Sequence, residues 1–139
     1  MTTNIITKLY NSENFAFIRI RGIIQNPVNL RQYPFDLECL IDRGFYGGIY
    51  VPKIFLAHAD LIDVTPRPTT VTLADGSLIA AHVCVAYLTQ IEDYSFESPG
   101  IPTSLVIYGD KTGELIGVDA MQHFSVLFDG PANNFTIIL

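Results

Sequence analysis

Short runs of β-branched and aromatic residues, broken by Gly, Pro and Asp, dominate the chain and predict strands rather than helices. Phe15 to Ile24 is one such run. Phe35 to Ile41 is another, with Phe35, Leu37, Cys39 and Ile41 on one face of the pleat. Gly47 and Gly48 mark a turn into a short strand, Ile49 to Val51, which stops at Pro52 because proline cannot donate to a ladder. Pro52 to Ala59, with Ile54, Phe55 and His58 spaced for one helix face, predicts two turns of helix that need tertiary support.

Val71 to Ala74, then Asp75-Gly76, then Leu78 to Tyr87 has the form of a hairpin, since Asp-Gly supplies the positive φ angles of a tight turn. Tyr94 to Pro102 reads as a loop and Thr103 to Tyr108 as a strand. The remainder predicts extended chain over Glu114 to Gly117, helix over Val118 to Phe124 and extended chain over Ser125 to Phe128. A turn at Gly130 to Asn134 and a last strand, Phe135 to Leu139, complete it. Many short strands with one or two short helices define an all-β fold closed as a barrel or sandwich.

With 139 residues and 49% hydrophobic content, the chain suits a single domain over residues 1–139 that buries a core without disulfides or a structural metal. Mean hydropathy is +0.32, yet no apolar run reaches the roughly 18 residues that cross a bilayer, so no membrane association is expected. The first residues carry no secretory pattern, which points to the cytoplasm. A net charge of −6 with scattered basic residues argues against nucleic acid, whose phosphates require clustered Lys and Arg. The two cysteines, Cys39 and Cys84, lie in apolar strand-like runs and read as reduced core residues.

Leu40-Ile41-Asp42-Arg43-Gly44 sets a carboxylate directly after an apolar strand and just before a glycine, where the backbone can turn sharply. Taken alone, Asp42 reads first as a residue that starts a turn by accepting backbone N–H groups. No Gly-x-Ser-x-Gly elbow, phosphate loop or His-Glu-x-x-His helix competes with it, and His82-x-Cys84 is explained by strand alternation.

In chain order, Asp42-Arg43-Gly44, Phe45, Gly47-Gly48, Val51-Pro52, the hairpin Leu73-Ala74-Asp75-Gly76-Ser77 and Leu115-Ile116-Gly117-Val118-Asp119 resemble the retropepsin-like aspartic peptidases. The resemblance runs from about Phe35 to Asp129. It implies a closed acid-protease barrel, one lobe per chain, with Asp42 catalytic and a homodimer supplying the second carboxylate. It also implies a flap formed by Leu73, Ala74, Asp75, Gly76 and Ser77 over a peptide or protein substrate, and no metal or organic cofactor. Leu115, Ile116 and Gly117 would then pack beneath the Asp42 loop, with Asp119 as the N-terminal acceptor of the short helix.

The family places a small hydroxyl residue where this chain has Arg43, its oxygen reaching the partner loop across the dimer axis. Arginine has no acceptor and stays charged, so two copies near the axis favour ionisation of both Asp42 groups and oppose a shared proton. Three readings follow: a working site with Arg43 turned to solvent, a relative that lost catalysis, or a substitution introduced into the chain. The second makes the protein a dimeric peptide-binding or assembly module. Ile41-Asp42-x-x-Phe45-Tyr46-x-Gly48 also looks like a segment of trimeric dUTP pyrophosphatases, but the phosphate-binding segments of that family are missing.

Overall fold

In a computed structural model, which describes residues 4–72, 75–109 and 113–139, the alternating stretches become eleven strands with two short helices among the described residues. The protein is therefore mostly β, as the pattern predicts. β1 (Ile5–Leu9), β11 (Asn134–Ile138) and β10 (Ser125–Asp129) form a small antiparallel sheet in the order β1-β11-β10. The larger sheet runs β2 (Phe17–Gln25), β3 (Gln32–Ile41), β9 (Leu115–Ile116), β4 (Ile49–Val51), β8 (Ile101–Ile107), β6 (Leu78–Ile91), β5 (Arg67–Thr72), with β7 (Tyr94–Ser95) against β6. β2 also pairs with β6, placing Ile20 opposite Ile91 and Ile24 opposite Ala86, so the path of ladders returns to its first strand.

Alternation decides which side chains enter the core. Ile18, Ile20 and Ile24 of β2 are fully buried, while Arg19 and Arg21 point outward and share Asp36 of β3, at 2.9 and 3.3 Å. On β3, Phe35, Cys39 and Ile41 are buried and Leu37 is half-buried, the face the sequence predicts. Each fully buried Ile, Leu or Phe contributes about 1.5–3 kcal/mol, so the core rests chiefly on these inward rows. Both cysteines are free thiols, Cys39 in the core and Cys84 half-buried on β6.

α1 (Phe55–Asp60) begins later than Pro52 and is held by tertiary contacts, as so short a helix must be. Phe55 meets Phe35 edge-on at 5.9 Å, and His58 stacks on Tyr33 at 4.4 Å. Ile54, expected on the packed face, is exposed. α2 (Val118–Met121) stops short of Phe124. β6 continues past Tyr87 to Ile91, and β7 lies inside a stretch expected to be loop. β1 has no counterpart in the sequence reading, because its order comes from pairing with β11, more than a hundred residues away. No helix among the described residues is long and apolar enough to cross a membrane.

Candidate functional site

β3 is held at its end from both sides. The Ile41 N–H donates to the Ala16 carbonyl at 2.9 Å, and the Asp42 N–H donates to the Ile116 carbonyl of the parallel strand β9 at 3.0 Å. Beyond that clamp the chain turns. The Gly44 N–H donates to Asp42 Oδ1 at 2.9 Å and the Phe45 N–H to the Asp42 carbonyl at 3.3 Å. Asp42 thus does start a turn, and the residue, half-buried, also lines a cavity of about 410 Å3 with Tyr10, Asn14, Phe15, Ala16 and Phe128.

Gly117 packs against this loop from below. A Cβ there would come within 3.0 Å of both the Phe45 and the Gly47 carbonyl oxygens, so only glycine fits. The Gly117, Val118 and Asp119 N–H groups donate to the carbonyls of Gly48, Phe45 and Gly47 at 2.7, 2.8 and 3.2 Å. The loop therefore takes the donors that the start of a helix leaves unsatisfied. Leu115 and Ile116 form β9, and Gly117 follows them against the Asp42 loop.

Asp119 is not the N-terminal acceptor that the resemblance implies: Gly117 is the N-cap, without a side-chain cap, and the Asp119 carboxylate turns to β8 instead. Its Oδ2 accepts from the Ser104 N–H at 3.2 Å and from the Ser104 and Thr103 hydroxyls at 3.3 Å each. Ser104 Oγ in turn accepts the Gly48 N–H at 2.8 Å. The physical reason is that the loop carbonyls already satisfy the helix N–H groups. Thr103 and Ser104, which the sequence reading passed over as strand residues, are what tie α2 and the loop to the sheet. An aspartate three residues past the end of β9 carries no local sign of partners fifteen and sixteen residues upstream.

Arg43 and Gly44 are exposed, and Arg43 lines a separate cavity of about 340 Å3 with Val118, Met121, Phe124, Val126 and Phe128. Phe128 borders both cavities, a role its sequence position did not disclose. Below the loop, buried Phe45 meets Tyr50 edge-on at 5.9 Å and belongs to a second apolar cluster with Ala81 and Val106. Val71 and Val83 pack against that cluster, so the base of the β5–β6 hairpin and the Asp42 loop share one small core.

The hairpin pairs Thr72 with Leu78. Leu73 and Ala74 lie outside the described residues. Gly76 has φ +84°, and Asp75 Oδ1 accepts the Ser77 N–H at 2.9 Å and the Ser77 hydroxyl at 2.6 Å, which lowers the Asp75 carboxyl below its ordinary range. Asp75, Gly76 and Ser77 line neither the Asp42 nor the Arg43 cavity. Among the described residues, no group of three or more His, Cys, Asp or Glu is gathered closely enough to hold a metal ion.

The last strand, β11, is the middle strand of its sheet, paired on both sides. Compared with protein-family models, curated proteins and solved structures, the chain finds no match.

Proposed function

We propose that this chain is one lobe of a retropepsin-type aspartic endopeptidase, completed when two copies bring two Asp42 carboxylates together. The observation that carries the reading is the fit of Gly117 beneath the Asp42 loop. It supports an aspartate held at the end of a core strand by a second, sequence-distant segment, with Asp42 lining a cavity. The returning ladder from β2 to β6 is consistent with a closed acid-protease barrel. Exposed Phe15, Tyr46, Leu127 and Phe128 are consistent with a second copy covering the apolar surface near the site.

In that assembly the two carboxylates share one proton, because like charges a few ångströms apart resist joint ionisation. The ionised member takes a proton from water as it attacks the peptide carbonyl, and the protonated member donates to the carbonyl oxygen. The hairpin around Asp75-Gly76 acts as the flap and closes over the peptide, excluding water. Arg43 favours a second reading, a dimeric peptide-binding module with the acid pair disabled. That Arg43 and Asp42 line different cavities supports the active form.

The test is cleavage of a mixed peptide library between acidic and neutral pH by the chain and by Asp42→Asn. Loss of the base should reduce cleavage by about 10²–10⁴-fold with fold and oligomeric state unchanged. Cleavage that survives Asp42→Asn, or that a statine-type inhibitor leaves untouched, sinks the peptidase reading. Peptide binding without cleavage establishes the module.

A further inference from the structure

A cavity of about 650 Å3, larger than either of those beside the Asp42 loop, has no part in the peptidase reading. Three segments wall it: the turn between β2 and β3, the chain from α1 into β5, and the middle of β6. Side chains tie the first two together. Asn26 is buried, and its Nδ2 donates to the carbonyls of Ile62 and Asp63 at 2.9 and 3.1 Å, while its Oδ1 accepts the Val28 and Asn29 N–H groups at 2.8 and 3.2 Å. Arg31 adds a second tie, donating to the Leu61 carbonyl at 2.7 Å and to Asp63 Oδ2 at 3.2 Å. Ladders fix β6 to both segments, with Ile24 opposite Ala86 and Arg67 opposite Val83. The walls are thus set before any ligand arrives, and the volume is that of a small-molecule site.

The lining selects the chemistry. Val64, Val83, Val85 and Tyr87 give the space an apolar wall. Asp63 and Arg67 are the charged residues that line it, and they are not equivalent. Asp63 is already paired with Arg31, whereas among the described residues no acidic side chain pairs with Arg67. One cation therefore stands uncompensated beside an apolar wall. We infer that this cavity binds a small organic anion, an aliphatic or aromatic carboxylate whose apolar body lies against the valines and Tyr87 and whose two oxygens pair with the Arg67 guanidinium. The planar fork of arginine matches a carboxylate in this way. An organic cation fits less well, since it meets Arg67 directly and must displace Arg31 to reach Asp63. The site is separate from Asp42 and stands whether or not the chain cleaves peptides.

Titration of the full chain with octanoate, octan-1-ol and octylammonium by calorimetry tests the inference. Octanoate should bind saturably, one per chain, and more tightly than the alcohol or the amine. Arg67→Gln should weaken octanoate roughly fivefold and leave the alcohol unchanged, while Arg67→Lys retains part of the difference. Both variants should keep the melting temperature of the unaltered chain, because Arg67 is exposed. Cys84 lines the same cavity and Cys39 lies in the core, so a single thiol reports where the probe sits. Octanoate should slow alkylation of Cys84 by iodoacetamide in proportion to occupancy, and Val85→Trp, at a position 58% exposed on the wall, should abolish both binding and protection. Octanoate that binds no better than octan-1-ol, or that is indifferent to Arg67→Gln, overturns the anion site. Binding that leaves Cys84 unprotected and survives Val85→Trp places the ligand elsewhere and overturns it too. Sedimentation velocity on Val85→Trp gives the remaining arm: a change in oligomeric state there makes this wall an interface between copies and overturns the ligand site.

Discussion

Gly117 lies so close beneath Gly47 that a Cβ on Gly117 would stand within 3.0 Å of the Gly47 carbonyl oxygen, and the backbone N–H of Asp119 donates to that same carbonyl at 3.2 Å. Two glycines seventy residues apart in sequence thus meet backbone to backbone, and the loop that carries Asp42 rests on the contact.

Gly117→Ala should therefore destabilise the fold by about 1–3 kcal/mol, the range for forcing a methyl into filled space whose neighbours are backbone and cannot rotate away. Urea unfolding measures it. An unchanged midpoint would show that the loop moves freely off β9, contrary to the clamp described.

Asp119→Ala removes the acceptor of Thr103 and Ser104 and leaves partly buried donors to find other partners, at a cost of about 1–2 kcal/mol. Asp119→Asn should retain most of that stability, because an amide oxygen still accepts from the Ser104 N–H. Equal losses in the two variants, read from unfolding curves, would mean that charge rather than hydrogen-bond acceptance holds the network.

Arg43→Thr should tighten the dimer about tenfold. A hydroxyl reaching the partner loop contributes on the order of 1 kcal/mol, and removal of two guanidiniums from a common face adds to it. Peptide cleavage should rise in parallel. If sedimentation and cleavage are both unchanged, Arg43 stays turned to solvent in the dimer and threonine gains nothing.

Burial pushes the Cys84 thiol up to about 11, so near pH 8 only about one thiol in a thousand is ionised. Alkylation by iodoacetamide at that pH should run roughly a hundredfold slower than for an exposed cysteine. The same shift sets a stability trend. The folded pKa lies above the unfolded value, so the contribution of Cys84 is fully present below about pH 8.5 and is lost as pH rises toward 11. Cys84→Ala should flatten that decline, and alkaline melting curves of the two proteins decide the matter.

Local pattern by itself determined the strands Phe15 to Ile24, Phe35 to Ile41 and Ile49 to Val51, and the hairpin around Gly76. In each of these the signal lies in adjacent residues: alternation or a turn dipeptide. The approach of Gly117 to the Asp42 loop is a contact across seventy residues and belongs to the tertiary structure. Tertiary structure decided the rest. β1 exists because β11 pairs with it, and β11 became a middle strand rather than an edge, since hydrogen-bonding partners for extended chain are chosen across the whole sequence. Asp119 left the helix cap for Ser104 because the carbonyls of Phe45, Gly47 and Gly48 had already taken the donors a cap would serve. Arg43 and Asp42, neighbours in sequence, border different cavities, with Phe128 of β10 lining both, because distant strands and not the adjacent residues supply the walls.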